Sequence, residues 1–207
     1  MRTPLLLEMA GQPVVCVGAG PVAAGKVVPL MECGAVVTVI APQVDAGLAR
    51  AEHILRRDYQ PGDLEGPPRP RLVVAGTGVA ATDDLVAAEA AALGIWCLRI
   101  DGEGDVAVPS VIRRGALVVA LATGAPALTR RLRQVLGEAL DDHWGVASKT
   151  LAALRSDPVI RAALAAVPAS ERRRRWREAV EVVLDRDTPP DPGRAAAQAI
   201  LTGRTDD

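Results

Sequence analysis

The chain has no phenylalanine, one tyrosine and three tryptophans in 207 residues. Its core must therefore be made of Val, Leu, Ile and Ala. At 49% hydrophobic residues these suffice for one substantial domain with an appendage, or for two small ones. Cysteine is scarce too. Cys16, Cys33 and Cys97 are odd in number and far apart, which argues against a disulfide framework and a zinc knuckle. Cys16 and Cys97 sit inside apolar runs and are expected to be buried, inert thiols. The two histidines, His53 and His143, have no partner at ligand spacing, so no permanent metal site is expected. The net charge is −1 and aromatics do not interleave the basic runs, so nothing points to nucleic acid or an anionic membrane. No apolar run approaches the length of a membrane span, and the one near the start is short and broken by Glu8. The sequence reads as a cytoplasmic, soluble protein.

Residues 13–100 are ordered by alternation. PVVCVG, AVVTVIAP, RLVVAGT and IWCLRI are continuously apolar strand candidates, and HILRRDY is a weaker one. Between them PVAAGKVVPLMECG and TDDLVAAEAAALG read as helices closed by Gly34 and Gly94. PGDLEGPPRPR reads as a turn-rich connection. Continuous apolar strands alternating with helices predict an α/β fold with a parallel sheet covered on both faces. After residue 101 the pattern changes. DGEGDVAVPSVIRRG reads as irregular, ALVVALATG as a strand, and PALTRRLRQVLGEALDDHW as one long helix. From residue 146 the chain reads as helical until TPPDPG, which precedes an alanine-rich tail.

The stretch Gly18-Ala19-Gly20-Pro21-Val22-Ala23 matches G-x-G-x-x-A between the first strand and the first helix. Gly18 permits the tight turn, Gly20 lets backbone approach a pyrophosphate, and Ala23 allows close helix–strand packing. The helix that opens at Pro21 offers, beyond the proline, backbone N–H donors and the positive end of a dipole. The usual acid at the end of the second strand is missing: Val39-Ile40-Ala41-Pro42-Gln43 comes first, and Asp45 is the next acid. After this strand no arginine comes until Arg50, so a 2′-phosphate has no evident cation, which favours NAD over NADP. Backbone around Pro42 and Gln43 is left to hold the ribose.

Residues 3–42, TPLLLEMAGQPVVCVGAGPVAAGKVVPLMECGAVVTVIAP, resemble the start of precorrin-2 dehydrogenases. These are the NAD-dependent module of siroheme synthases, some of which are also sirohydrochlorin ferrochelatases. The likeness continues through YQPGDLEG, RLVVAGT, GIWCLRID, VPSVIRRGALVVALATGAPALTRRLR and ERRRRW. It departs from the family pattern at Gly78, where an acid is usual, and at Leu98, where an asparagine is usual.

The resemblance implies a Rossmann-like domain over 1–110, a dimerisation segment over 111–146, a helical C-terminal domain over 147–187 and a tail over 188–207. It also implies a homodimer and a tetrapyrrole substrate with eight carboxylates, precorrin-2. The expected reaction is NAD-dependent oxidation of precorrin-2 to sirohydrochlorin. Two alternatives stay open: added ferrochelatase activity, and a non-catalytic tetrapyrrole- or NAD-binding module. The expected cofactor contacts are Gly18, Gly20, Pro21, Val22, Pro42, Gln43, Thr77 and Gly78. Asp101 is the expected catalytic base. Thr123, Arg113, Arg130 and Arg133 are the expected substrate contacts, since guanidinium groups match carboxylates bidentately. The run Arg172–Arg175 reads as a solvated face or as a further carboxylate contact.

Overall fold

The computed structural model describes residues 3–204. They form two compact units that part between Val108 and Pro109.

In the first unit the expected strands all form. They are β1 (Pro13–Val17), β2 (Val36–Ile40), β3 (His53–Leu55), β4 (Leu72–Ala75) and β5 (Trp96–Arg99), with helices α1 (Pro21–Glu32) and α2 (Ala80–Leu93). The sheet order is β3-β2-β1-β4-β5 with every pair parallel. Successive strand residues face opposite sides. Val14 and Cys16 pack with Val27, Val37, Val39, Val74 and Leu98 on the α1 side. Val15 and Val17 pack with Val73, Ala75, Val86, Ala90 and Cys97 on the α2 side. Both faces are covered, which is why the strands are apolar throughout. At the end of α2, Gly94 adopts φ 68° and closes the helix in the left-handed conformation.

No helix joins β3 to β4. The connection over residues 56–71 fills part of the α2 side instead, with Leu64 fully buried and Tyr59 packed beside it. Helix α2 holds this connection through Glu89, whose carboxylate accepts from the Tyr59 hydroxyl and from the N–H groups of Gly62 and Leu64, both at 3.0 Å.

Cys16 and Cys97 are buried, as expected, and all three cysteines are free. Burial pushes the Cys16 thiol up to about 12. Burial, aided by Asp105, pushes Cys97 up to about 11. Burial and then the bond to Glu89 raise the Tyr59 phenol well above its ordinary value. In all three the folded state holds the proton more tightly than the unfolded chain. Their contribution is therefore intact below the ordinary thiol value near 9 and is lost as pH rises through the folded values. The urea midpoint is expected to hold from pH 7 to 8.5 and then fall steadily to pH 11, and Cys16→Val is expected to flatten that fall.

The second unit begins with a hairpin of β6 (Ser110–Arg114) and β7 (Leu117–Leu121), antiparallel with Arg114 opposite Leu117. The sequence pattern predicts an irregular 110–114, and the structure makes it a strand. Strand β6 has two apolar residues, of which only Ile112 is buried, so it lacks the apolar run that marks the first sheet. Helices α3 (Pro126–Ala139), α4 (Asp142–Ser156), α5 (Pro158–Ala165), α6 (Ala169–Leu184) and α7 (Pro190–Thr202) follow. The single long helix expected over 126–144 is broken at Leu140–Asp141. Asp141 adopts extended backbone and opens α4, which then runs unbroken past residue 146. The alanine-rich stretch read as a tail contains α7, whose Ala197 and Leu201 pack with Leu154, Ile160, Leu164 and Ala179. Asp157 caps α5 by accepting from Val159 N at 2.8 Å and Ile160 N at 3.2 Å.

Candidate functional site: a dinucleotide pocket on the glycine turn

The carboxyl ends of β1, β2 and β4 surround an open cavity of about 660 Å³. An open parallel sheet places its ligands at such ends. The turn between β1 and α1 forms its floor. Gly18 has φ +84°, and a Cβ there would lie 2.2 Å from the Gly76 carbonyl oxygen. The residue is glycine because β1 and β4 approach each other there without room for a side chain. Gly20 differs. It has φ −75° and ψ 175°, which any residue adopts, and a Cβ there would meet nothing within 4 Å. That open space lies over the start of α1, where Gly20 is the N-cap, Pro21 follows, and no side chain caps the helix. The first-turn N–H groups are left for an anion. Ala23 is buried against the sheet. These residues fit a dinucleotide's pyrophosphate.

Gly18, Gly20, Pro21, Pro42, Gln43 and Thr77 all line the cavity; Val22 and Gly78 do not. Val22 is 62% exposed, on the outward face of α1. Gly78 has φ +76° and serves the turn after β4. Thr77 is pinned in that turn by Asp83, a buried carboxylate that accepts from Thr77 N at 3.0 Å and from Thr77 Oγ1 at 2.8 Å.

Sequence reasoning missed the wall contributed by the connection after β3. Asp58 and Tyr59 line the cavity, as does Thr82. The signals were that Tyr59 is the sole tyrosine and that it opens YQPGDLEG, one of the stretches that carry the resemblance. Glu89 sets this wall, since its three acceptor bonds fix the segment that carries Tyr59 and Asp58. Glu89→Ala is expected to cost about 2–4 kcal/mol and to loosen dinucleotide binding. Thermal melting and nucleotide titration read the two effects separately, and Glu89→Gln should retain part of each.

Asp101 stands two residues beyond β5 and is exposed. It shares the carboxyl end of the sheet with the cavity but is not among the cavity's lining residues. Its loop turns back along β5, where Val106 N donates to Cys97 O at 3.2 Å and Asp105 accepts from Cys97 N at 3.1 Å.

The expected substrate contacts lie in the second unit. The Thr123 hydroxyl is engaged at the start of α3, donating to Ala125 O at 2.9 Å and sharing a 2.7 Å bond with Thr129. Arg113, Arg130 and Arg133 are exposed. Arg114 caps the end of α3 through Leu140 O at 2.9 Å and Gly137 O at 3.2 Å. In the basic run, Arg174 bonds Glu171 and Glu178, and Arg175 bonds Glu171 and the Leu201 carbonyl. Half of that run is thus spent on holding α6 and α7.

A parallel sheet in this order, with an uncapped glycine turn after its first strand, defines a dinucleotide-binding protein of the Rossmann class. A family model described as "Putative NAD(P)-binding" matches residues 5–110, and the chain belongs to that family. Over 182 residues the chain is 34% identical to siroheme synthase 1 of Aeromonas salmonicida, which covers 84% of this chain and 37% of the relative. Over 151 residues it is 36% identical to a siroheme synthase of Pseudomonas putida, covering 69% of this chain and 32% of the relative. The chain thus spans about a third of the length of the curated relatives it matches. The resemblance to siroheme synthases read from the motifs is borne out. A solved structure titled "SirC, precorrin-2 dehydrogenase" has the same fold, with a TM-score of 0.70 at 21% identity over 96% of this chain and 98% of that one.

Proposed function

We propose that the chain oxidises precorrin-2 to sirohydrochlorin with NAD as hydride acceptor. The observation that carries the reading is the cavity on Gly18–Pro21, open at Gly20 and free of any side-chain cap. The likeness to siroheme synthases over 84% of the chain and the fold shared with a protein titled precorrin-2 dehydrogenase support the choice of substrate.

The reaction removes a hydride and a proton. The bound nicotinamide supplies the hydride acceptor. The residues of the chain position and deprotonate. The first turn of α1 holds the pyrophosphate, Pro42 and Gln43 border the ribose, and Thr77 borders the cavity at the end of β4. Asp101, exposed at the carboxyl end of the sheet, accepts the proton. Arg113, Arg130 and Arg133 are exposed and among the described residues have no ion-pair partner, which suits a polyanion. Arg130 and Arg133 lie three apart on one face of α3.

The functional unit we propose is a homodimer acting in the cytoplasm. Helix α3 has no buried residue, yet Leu128, Leu132 and Val135 follow helical spacing on one stripe, with Leu128 51% and Val135 42% exposed. An uncovered apolar stripe of this kind fits a second copy of the chain. Three free thiols accord with a reducing compartment. Among the described residues no helix is long and apolar enough to cross a membrane.

The test is purified protein with NAD and precorrin-2 generated in situ, followed by NADH absorbance. Appearance of NADH supports the proposal. Nucleotide binding without turnover leaves only a binding module. A parallel reaction of sirohydrochlorin with ferrous or cobaltous ion reports chelatase activity. Light scattering should give a mass near twice 21.6 kDa, and a monomer at micromolar concentration overturns the dimer.

A further inference from the structure

The acid that the sequence lacks at the end of β2 is supplied from elsewhere. We infer that Asp45 and Asp58 together make this pocket reject a 2′-phosphate, and so select NAD over NADP. The inference rests on the reading of the cavity as a dinucleotide site.

Asp45 lies five residues beyond the last residue of β2, too far along the chain for the usual fingerprint. The chain folds it back. Asp45 N donates to Ala19 O at 2.9 Å, inside the glycine turn. Its Oδ1 accepts from Gly47 N at 2.8 Å, opening the 3₁₀ turn Ala46–Leu48. These two bonds fix the carboxylate beside the turn that takes the pyrophosphate. Asp58 comes from a separate element, the connection after β3 that Glu89 holds. Both line the cavity, and among the described residues they are the only charged ones that do.

Arg57, next to Asp58 in the chain, is not available to offset them. Arg57 donates to both carboxylate oxygens of Asp63, each at 2.7 Å, and to Asp58 O at 3.0 Å. Arg56 and Arg50 do not line the cavity. A pyrophosphate entering this pocket meets the helix start. A further phosphate on the ribose 2′-oxygen meets two carboxylates and no guanidinium. Like charges so placed repel strongly where water is partly displaced. Specificity here comes from an element that opposes the wrong ligand.

Isothermal titration of the purified chain with NAD and with NADP, without substrate, tests this. NADP is expected to bind about a hundredfold more weakly at low salt. Asp45→Asn and Asp58→Asn should each narrow that ratio about tenfold, and the double variant should nearly erase it. Asparagine at residue 45 can still accept from Gly47 N, and Asp58 makes no side-chain hydrogen bond among the described residues. Unchanged melting temperatures therefore show that the fold is intact. Raising the salt should also narrow the wild-type ratio, because screening acts on the repulsion. Equal binding of both nucleotides by the wild type overturns the inference but leaves the site standing. So does a ratio unmoved in the double variant. Binding of neither nucleotide overturns the site and the inference together.

Discussion

Gly18→Ala is expected to unfold the first unit, while Gly20→Ala leaves it folded and hardly able to hold a dinucleotide. The two glycines are two residues apart and chemically identical, yet they answer to different constraints. At Gly18 the backbone has φ +84°, and a methyl group would sit 2.2 Å from Gly76 O. The left-handed conformation costs about 1–2 kcal/mol for an L side chain. The clash lies against backbone of β4's continuation, which cannot swing aside. The total is expected to be about 4 kcal/mol or more, a large share of a domain's stability. At Gly20 the backbone is ordinary and the space is open. Alanine there restricts the unfolded chain and should leave the melting temperature level or slightly raised. It also puts a methyl group where the pyrophosphate must approach α1. A loss of roughly a hundredfold in NAD affinity, about 2.7 kcal/mol, is expected. Denaturant titration and calorimetry separate the effects. If Gly20→Ala binds NAD as tightly as the wild type, the pyrophosphate does not lie on this turn.

The second large effect is kinetic. Asp101→Asn is expected to lower turnover of precorrin-2 by about 10²- to 10⁴-fold, the usual worth of a positioned base. NAD affinity should not change, because Asp101 is not part of the cavity wall. Stability should not change either, since the side chain is exposed and makes no hydrogen bond or ion pair among the described residues. The substitution keeps the shape and removes the proton acceptor. Full turnover in this variant would assign the base to another residue. A parallel loss of NAD binding would mean that the substitution had disturbed the pocket, not the proton transfer.

The parts of this fold that were legible in the sequence are those that a local pattern encodes. The four strong strands are continuous apolar runs because both faces of the sheet are covered. Helix α2 ends at Gly94 because the chain must turn left-handed there. Gly18, Gly20 and Pro21 could be read as a site because strand, glycines and helix start are adjacent in the chain. Strand β6 was missed because it is half-exposed and gains its pairing from a hairpin. The break at Leu140–Asp141 was missed because the apolar and charged residues on both sides continue a helical pattern. The connection over 56–71 reads as turns and gives no sign that Leu64 is a core residue.

The sequence by itself determined the alternation of strands and helices, the glycine turn, and the likeness to siroheme synthases, because each depends on residues near one another in the chain. Only the tertiary structure decided which acids line the cavity, what holds Tyr59 in its wall, and that Val22 and Gly78 stand outside it. Asp45, Asp58 and Glu89 come from three separate connections and helices, and their roles follow from distances in space that no spacing along the chain records.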